Sequence, residues 1–436
     1  MENPSIPKGT RDFSSMEMNR RNYLIQIIRN KFELFGFYPI ETPSFENIST
    51  LIGKYGKEGD YLMFRLLHSG NFLKKISNKA LRYDLTVPFV RYVVMHRNEI
   101  FFPFKRYQIQ PVWRADKPQK GRFREFYQCD ADVIGTESLS LWPEIELIQL
   151  CDEIFTKLNF PIIIHINHRD ILGGLVEISG IENNLWKDFT TSLDKWNKMG
   201  RHIVRKEMLH KGISSESFEK IACFFDMKEN FSKKIESLTF ALKYSKKGKK
   251  GIQDLSFIFR KIKNISLKNT KLEWNISLAR GMNYYTGTIF EIFPKNHPNS
   301  IGGGGRYDQL SSFFGMKNFS GVGVSLGLDR IYLSMIKENL FQNIPSKVLF
   351  INFGDEEVLY AYNMINFLRK KGISTQLYPN SVKINKQFKY ANDNNIPFTI
   401  SIGKNEIEKN KIRVKNIKKR VEIEYDNIND FFHQLR

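Results

Sequence analysis

The chain has 436 residues, which is too long for one ordinary compact domain and suits two or three. Its 67 Lys and Arg against 46 Asp and Glu give a formal net charge of +21. This charge suggests a polyanionic partner, nucleic acid first and an acidic membrane surface second, and a composition biased toward lysine is the alternative explanation. The 41% hydrophobic content argues against a largely disordered chain, and 3 cysteines without a Cys-x-x-Cys disfavour a disulfide framework or a cysteine zinc cluster. No apolar run approaches about 18 residues and no secretory signal is visible, so we expect a cytoplasmic protein without membrane spans.

The N-terminal region predicts a helix followed by an extended segment. Ser14 and Glu17 have the spacing of a capping box, and apolar residues recur on one face through residues 14–35. Residues 37–45 contain two prolines, which suit an edge strand. This pair of elements could form a dimer face or pack into the core, and the sequence leaves both open.

A long hairpin is the next feature. Residues 103–114 and 123–134 are aromatic-rich segments with strand-like alternation, and the polar residues 115–122 join them. A short strand is also predicted at residues 81–87, before the hairpin. A helix over residues 143–158 and a strand over residues 161–167 follow it.

The middle of the chain changes character. Residues 168–263 are Lys-rich and helix-like, whereas strand patterns lie on both sides, so we predict an inserted helical domain there. Within it, the tract at residues 246–251 is predicted to be a solvated basic loop. Strand patterns resume at residues 272–278 and 288–293, and a small-residue strand at residues 320–327 runs into a helix.

A separate domain is predicted after Pro345. Strand and helix patterns alternate there, which is typical of a small α/β domain with a largely parallel sheet, ending in a hairpin and a short helix. The predicted organisation is therefore a core made of residues 1–167 and 264–341, an insertion at residues 168–263 and a C-terminal domain at residues 346–436.

Three familiar kinds of ligand site are excluded by spacing. The sequence has no Gly-x-x-x-x-Gly-Lys-Ser/Thr, and its glycine segment at residues 321–327 is one residue too long for a dinucleotide-binding Gly-x-Gly-x-x-Gly. The 8 histidines form no His-x-x-x-His pair. We therefore predict no metal site built from the protein's own side chains.

Three arginines next to predicted strand ends are candidate phosphate ligands. An arginine just after an apolar strand is costly to bury without a partner, and its fork matches phosphate oxygens. Each one taken alone is better explained by a salt bridge, but all three together favour a bound polyphosphate. They are Arg114, Arg280 and Arg330.

Asp84, Gln128 and Asp132 are candidate acceptors on strands of alternating pattern. Gln128 and Asp132 are four residues apart and so share one face of a strand. These groups could make cross-strand hydrogen bonds, or they could hold the ammonium of a zwitterion opposite the arginines. The second reading predicts a small amino acid beside a nucleotide, in a transfer of adenylyl or phosphoryl groups.

Several segments match known motifs. Residues 8–13, the first helix with its Pro43 strand, residues 111–128 and residues 321–330 are similar to the opening and to motifs 1, 2 and 3 of class II aminoacyl-tRNA synthetases. Residues 278–288 and 304–308 are similar to two histidine-specific blocks. The chain therefore resembles the bacterial-type histidyl-tRNA synthetase family nearly end to end.

The resemblance implies an α+β fold and a two-step reaction. The fold would be an antiparallel sheet with helices, an inserted helical domain and a C-terminal α/β anticodon-binding domain, in a homodimer. Histidine and ATP, with Mg²⁺, would give histidyl-adenylate and pyrophosphate, and the histidyl group would pass to the 3′ end of histidine tRNA. Residues suggested for RNA contact are Lys117, Lys120 and Arg122 in the motif 2 loop, together with basic C-terminal faces.

The resemblance also implies roles for site residues. Asp84, Thr86 and Gln128 would hold the α-ammonium. Asp132 and Tyr285 would read the imidazole, with Tyr284 and Tyr307 lining the pocket. Arg114 would hold the ATP α-phosphate and Arg330 the γ-phosphate end, and Arg280 would stabilise the transition state beside the attacking carboxylate.

The sequence departs from the family pattern at three positions. Asp116 and Asp329 stand where Glu is usual, and Asn283 stands where Asp is common. The alternatives are a regulatory subunit of ATP phosphoribosyltransferase, which shares the fold, another class II synthetase, and a general nucleic-acid-binding protein. The histidine blocks and the C-terminal domain count against these alternatives.

Overall fold

The computed structural model of the protein describes residues 3–68, 76–119, 121–136, 138–279, 284–341 and 347–435. The chain divides into two compact units between residues 341 and 342. Across the described residues, no helix combines the length and the apolar character that a membrane span requires. Cys129 and Cys151 are buried thiols, and Cys223 is an exposed one.

The first unit contains helices and strands throughout its length. Its helices are α1 (Ser15–Leu34), α2 (Ile48–Leu51), α3 (Gly56–Tyr61), α4 (Thr86–Met95), α5 (Trp142–Lys157), α6 (Arg169–Ser179), α7 (Trp186–Leu193), α8 (Trp196–His210), α9 (Ser215–Phe225), α10 (Phe231–Ala241), α11 (Lys246–Ile265) and α12 (Leu328–Lys337). Its strands are β1 (Tyr38–Pro39), β2 (Phe45–Asn47), β3 (Arg65–Leu67), β4 (Ile76–Leu81), β5 (Phe104–Trp113), β6 (Glu125–Thr136), β7 (Ile162–His168), β8 (Thr270–Trp274), β9 (Thr288–Pro294), β10 (Gly302–Arg306) and β11 (Phe319–Gly327). Short 3₁₀ helices lie at Asn183–Leu185 and Leu310–Phe314.

An eight-stranded sheet organises this unit in the order β1-β5-β6-β11-β10-β9-β7-β8. The pairings from β5 through β7 are antiparallel, and only the outermost pairs, β1 with β5 and β7 with β8, are parallel. A separate three-stranded sheet, in the order β2-β4-β3, is formed by the segment between β1 and β5. The predicted antiparallel sheet is thus present, with the hairpin of β5 and β6 near its centre.

Helix α1 begins where the capping box predicts. The Ser14 side chain accepts a hydrogen bond from the Glu17 backbone N–H, and the Glu17 carboxylate accepts one from the Ser14 backbone N–H. Its apolar face buries Leu24, Ile28 and Phe32 in the main hydrophobic cluster. A polar start and an apolar stripe therefore position the helix against the sheet.

Helices α6 to α11 connect two parallel neighbouring strands, β7 and β8. Parallel strands cannot be joined by a tight turn, so the long connection crosses over one face of the sheet. Leu175, Phe189 and Phe218 from these helices belong to the same buried cluster as Leu24 and Phe155. The helical character of this region agrees with the sequence, while the boundaries of an inserted domain stay a prediction.

The strand predicted at residues 81–87 is wrong. Leu81 ends β4, Asp84 lies in the following turn, and Thr86 begins α4. The Asp84 carboxylate accepts a hydrogen bond from the Val87 backbone N–H at 3.1 Å, which satisfies a donor at the start of the helix. The Asp84 side chain therefore bonds the start of α4, and the apolar residues that follow it are buried on that helix.

The basic loop predicted at residues 246–251 is also wrong, because these residues form the first turns of α11. Ser245 caps the helix by accepting a hydrogen bond from the Gly248 N–H at 3.0 Å. Gly248 and Gly251 are buried against α6, where the absence of a side chain lets the two helices approach closely. The lysines between them project from an otherwise packed helix.

The second unit is a mixed sheet with helices. Its elements are β12 (Lys347–Phe350), α13 (Asp355–Lys370), β13 (Ser374–Leu377), α14 (Ile384–Asp393), β14 (Phe398–Ser401), α15 (Lys404–Glu408), β15 (Ile412–Asn416), β16 (Val421–Tyr425) and α16 (Ile428–Gln434). The strand order is β13-β12-β14-β15-β16. The first three strands are parallel as predicted, but the C-terminal hairpin joins the same sheet antiparallel, so the sheet is not largely parallel.

The contact between α6 and α11 generates a test of glycine packing. A Cβ at position 251 would lie 2.8 Å from Ile171 Cγ1, whereas a Cβ at Gly173 meets only Lys247 Cδ at 3.9 Å. We expect Gly251→Ala to lower the free energy of unfolding by about 1–3 kcal/mol through overpacking. We expect Gly173→Ala to raise it by up to about 1 kcal/mol through helix propensity.

Tryptophan fluorescence during denaturation measures both variants. All 5 tryptophans lie in the first unit, so the signal follows unfolding of that unit. A stabilising or neutral effect of Gly251→Ala would show that the two helices can separate without cost.

Candidate active site

One pocket gathers most of the predicted site residues. It lies over β6, β10 and β11, where Gly302, Gly303 and Ser325 form part of its wall. The predicted site residues that line it are Asp84, Thr86, Arg114, Gln128, Tyr284, Tyr285 and Arg330. Arg280, like Lys120 and Asn283, lies outside the described residues.

Asp84 accepts several hydrogen bonds at one side of the pocket. Its Oδ1 accepts hydrogen bonds from the Tyr55 hydroxyl at 2.9 Å and the Val87 N–H at 3.1 Å, and its Oδ2 accepts one from the Tyr284 hydroxyl at 3.2 Å. Burial raises the pKa of Asp84, and burial together with nearby negative charge raises the pKa of Tyr55 and Tyr284 well above the usual value. The tyrosines are therefore neutral donors that hold the carboxylate in place.

Gln128 also lines this pocket. Its Nε2 donates a hydrogen bond to Ser325 Oγ at 2.5 Å. Its Oε1 is buried and has no hydrogen-bond partner within the described part of the chain. A buried acceptor without a partner is costly, so this oxygen is suited to a ligand that donates a hydrogen bond.

Asp132 and Tyr307 are buried and do not line this pocket. The Tyr307 hydroxyl donates to Asp132 Oδ1 at 2.5 Å, and Arg106 Nη2 lies 2.9 Å from Asp132 Oδ2. Neither the sequence nor its periodicity singled out Arg106, although it alternates with polar residues along β5. Its fully buried charge balances the aspartate across the strand pair.

Glycines on β11 make room for this buried pair. Gly323 lies directly opposite Asp132, and a Cβ there would fall 1.9 Å from Asp132 Oδ1. A Cβ at Gly321 would fall 2.3 Å from the Tyr307 ring. The small-residue alternation of the sequence is therefore the signal for side chains that cross from neighbouring strands.

Arg114 and Arg330 line the same pocket, although they are distant in the sequence. Arg114 Nε donates to the Tyr83 carbonyl oxygen at 3.0 Å, and its guanidinium lies 4.4 Å from the Tyr83 ring centroid. Arg330 donates from Nε to the Gly121 carbonyl at 3.2 Å and from Nη1 to the Ser300 carbonyl at 2.8 Å. Backbone carbonyls thus position two fixed positive charges that can bind an anionic ligand.

The two acidic departures from the family pattern have different environments. Asp329 forms a buried ion pair with Arg21 Nη1 and accepts a hydrogen bond from the Tyr127 N–H at 2.9 Å, so it joins α1, β6 and α12. Asp116 also lines the pocket, and its Oδ1 lies 3.9 Å from Arg122 Nη1. Among the residues that the structure describes, no three acidic, histidine or cysteine side chains cluster as a metal site.

Comparison with known proteins identifies the family. The histidyl-tRNA synthetase family model matches residues 9–331, and the anticodon-binding domain model matches residues 347–435. The chain belongs to the histidyl-tRNA synthetase family. The predicted fold class is confirmed with it, and so is the predicted type of enzyme, an aminoacyl-tRNA ligase specific for histidine, a family that uses ATP as a substrate.

Individual relatives of this synthetase family are similar over almost the whole chain. A protein named histidine–tRNA ligase from Christiangramia forsetii is 53% identical and covers 96% of each chain. One of the same name from Flavobacterium johnsoniae is 50% identical and covers 95% of each. The crystal structure of histidyl-tRNA synthetase from Nostoc sp. PCC 7120 superimposes with a TM-score of 0.87 at 29% identity, covering 100% of this chain and 99% of that one.

The Arg21–Asp329 pair can be tested for its structural role in this synthetase. Removing Arg21 leaves a buried carboxylate without its counter-charge, so we expect Arg21→Ala to lower the free energy of unfolding by about 3–5 kcal/mol. The neighbouring Arg20 contacts the Phe341 ring at 5.6 Å, and we expect Arg20→Ala to cost less than about 1 kcal/mol. Urea denaturation followed by tryptophan fluorescence compares them; equal losses would refute a special role for the pair.

Proposed function

We propose that this chain activates histidine with ATP and transfers the histidyl group to the 3′ end of histidine tRNA. The observation that carries the proposal is one pocket lined both by cation-binding acceptors and by two arginines. An amino acid with a positive ammonium and a nucleotide with negative phosphates fit this division of charge.

The acceptor side is proposed to bind histidine. Asp84, Thr86 and the Gln128 oxygen would receive the α-ammonium, since all three line the pocket and the Gln128 oxygen is buried without a partner among the described residues. Tyr284 and Tyr285 would line the imidazole site.

The imidazole contacts proposed for Asp132 and Tyr307 need a longer reach. Both residues are buried outside the pocket lining, and the Tyr307 hydroxyl donates a hydrogen bond to Asp132. A ring that extended as far as this pair would meet a carboxylate whose charge Arg106 balances. We propose that this pair recognises the ring nitrogen, with Tyr285 on the opposite side.

The arginine side is proposed to bind ATP. Arg114 would hold the α-phosphate and Arg330 the γ-phosphate end, because carbonyl contacts fix both side chains at the pocket wall. Mg²⁺ is proposed to enter with ATP as part of the substrate, and the Asp116 carboxylate lines the same pocket. Arg280 is proposed to stabilise the charge that develops as the carboxylate attacks.

The proposed chemistry follows from these positions. A histidine carboxylate oxygen attacks the α-phosphorus, the bond from that phosphorus to the bridging oxygen breaks, and pyrophosphate leaves. A hydroxyl at the tRNA 3′ end then attacks the adenylate carbonyl, and AMP leaves. Positioning and charge neutralisation would supply most of the rate, since no side chain needs to form a covalent intermediate.

Transfer RNA and the cytoplasm are the proposed partner and location. The second unit belongs to the anticodon-binding domain family, and the net charge of +21 suits a polyanion. Lys117 and Arg122, next to the pocket in the hairpin loop, are proposed to contact the tRNA end. Three cysteines without disulfides agree with a reducing compartment.

Histidine-dependent ATP–pyrophosphate exchange tests the function. We expect exchange with histidine and with none of the other nineteen amino acids, followed by histidylation of tRNA. Arg280→Ala should reduce exchange by roughly a hundredfold or more, because one positive charge at the developing oxyanion is lost. Arg97→Ala, which removes an exposed arginine that does not line the pocket, should leave exchange unchanged. A folded wild-type protein without exchange would contradict the proposal.

A homodimer through the N-terminal elements is also proposed. Leu34, Tyr38 and Phe45 are 75%, 68% and 49% exposed, although α1 buries its other face. Strand β1 is the outermost strand of the large sheet, so this apolar surface adjoins an open edge. Exposed apolar side chains beside an unpaired edge are typical of an interface.

A charge placed on this surface should break the dimer. We expect wild-type protein to sediment at twice the mass of the chain, and Leu34→Glu to sediment as a monomer, because a carboxylate cannot be buried without a partner. Leu359→Glu, which alters an equally exposed leucine in α13, is the matched control and should stay dimeric. A dimeric Leu34→Glu protein would place the interface elsewhere.

A further inference from the structure

A short hydrogen-bond relay runs from the sheet interior to the pocket. Ser325 on β11 lies directly opposite Asp130 on β6, so its hydroxyl is beside the Asp130 carboxylate, whose Oδ1 is buried without a hydrogen-bond partner among the described residues. Gln128, two residues before Asp130 on the same strand face, donates from Nε2 to Ser325 Oγ. The order of the relay is therefore Asp130, Ser325, Gln128, and then the pocket.

The single proton of the Ser325 hydroxyl gives this relay a direction. An ionised carboxylate only accepts hydrogen bonds, so the hydroxyl must donate to Asp130. The Ser325 oxygen then accepts a hydrogen bond from Gln128, and only the NH₂ group of the amide can donate that bond. The Gln128 Oε1 must consequently point away from Ser325, and it is the atom that is buried without a partner among the described residues.

We propose that Asp130 is a positioning residue that acts through Ser325 to present the oxygen, and not the NH₂, of the Gln128 amide to the substrate's α-ammonium. The inference rests on the proposed function, which places the ammonium at Gln128. An amide has two ends of nearly equal size, and the wrong end would set N–H groups against a positive charge. The relay therefore controls the sign of the electrostatic interaction with the substrate.

Asp130 is itself held in an unusual environment. It is 1% exposed, and burial raises the pKa of its carboxyl above the usual value. Arg106 on β5 opposes this rise, Asp132 on the same strand and Asp84 add to it, and Arg82 at the end of β4 is a further charge acting on Asp130. The carboxyl therefore takes up a proton at a higher pH than an exposed aspartate does.

Protonation of Asp130 reverses the direction of the hydrogen bonds in the relay. While Asp130 is ionised, it accepts a hydrogen bond from Ser325 and keeps the Gln128 amide in one orientation. Once the carboxyl is protonated, it donates to Ser325 Oγ, and the Ser325 hydroxyl can then donate a hydrogen bond to the amide oxygen. The amide then loses its fixed orientation, so histidine binding should weaken as the pH falls.

Pyrophosphate exchange between about pH 6 and about pH 8.5 tests this with the full chain. Asp130→Asn is similar in size and uncharged at every pH. We expect its KM for histidine to exceed the wild-type value roughly tenfold at the highest pH and to approach the wild-type value at the lowest pH. Its KM for ATP should stay within about twofold of the wild-type value. Titration of the histidine imidazole affects both enzymes equally and cancels in the ratio.

Two further variants separate positioning from general damage. Ser325→Ala removes the middle of the relay, and its KM for histidine should approach the wild-type value at low pH in the same way. This variant therefore tests the relay if Asp130→Asn does not fold. Ser320→Ala, on the same strand, removes a buried hydroxyl that bonds Asp308 instead, and its ratio should be independent of pH.

The outcomes are distinct. Asp130→Asn and Ser325→Ala profiles that follow the wild type, or that raise both KM values equally at every pH, would overturn the relay. Absence of histidine-dependent exchange in the wild type would instead overturn the proposed function.

Discussion

Desolvation of charge on one face of the central sheet is the constraint on which the site depends. Arg106, Asp130 and Asp132 are each at most 3% exposed, so none can be hydrated, and each needs its partners within the protein. Arg106 lies beside the Asp132 carboxylate, and Ser325 lies directly opposite Asp130. Changing one member leaves the others with an uncompensated charge, which explains why a long antiparallel hairpin rather than a mobile loop carries them. Gly323 completes the arrangement by leaving space where the aspartate crosses to the next strand.

Local rules predicted much of the fold, and the failures occurred where tertiary packing decides. The capping box at Ser14 depends on four neighbouring residues, so sequence alone locates the start of α1. The error at residues 81–87 arose because a short buried helix and a buried strand have the same apolar run. The loop predicted at residues 246–251 failed for another reason. Glycines indicate flexibility in isolation, but Gly251 supports close packing against a helix that is distant in the chain.

The residue types of the site were predictable from the sequence, but which of them line the pocket was less so. Alternation along one strand placed Gln128 and Asp132 on the same face, and the structure brings Gln128 to the pocket. It could not indicate that Asp132 is buried outside the pocket lining, because this depends on the neighbouring strand, where Gly323 leaves space opposite it. Ser325 drew no attention as a single hydroxyl in a small-residue strand. Its importance comes from the groups on either side, which belong to a strand about 200 positions earlier in the chain.

The distribution of cysteines has a practical consequence. Two of the three thiols are buried in the main unit, and burial raises the pKa of Cys151 to about 12, so these thiols stay unreactive at neutral pH. Cys223 is exposed on α9, within the helices that connect β7 to β8. The natural sequence thus offers one attachment point for a maleimide fluorophore, without any mutagenesis. A dye placed there would report directly on how the connecting helices respond when an RNA arrives.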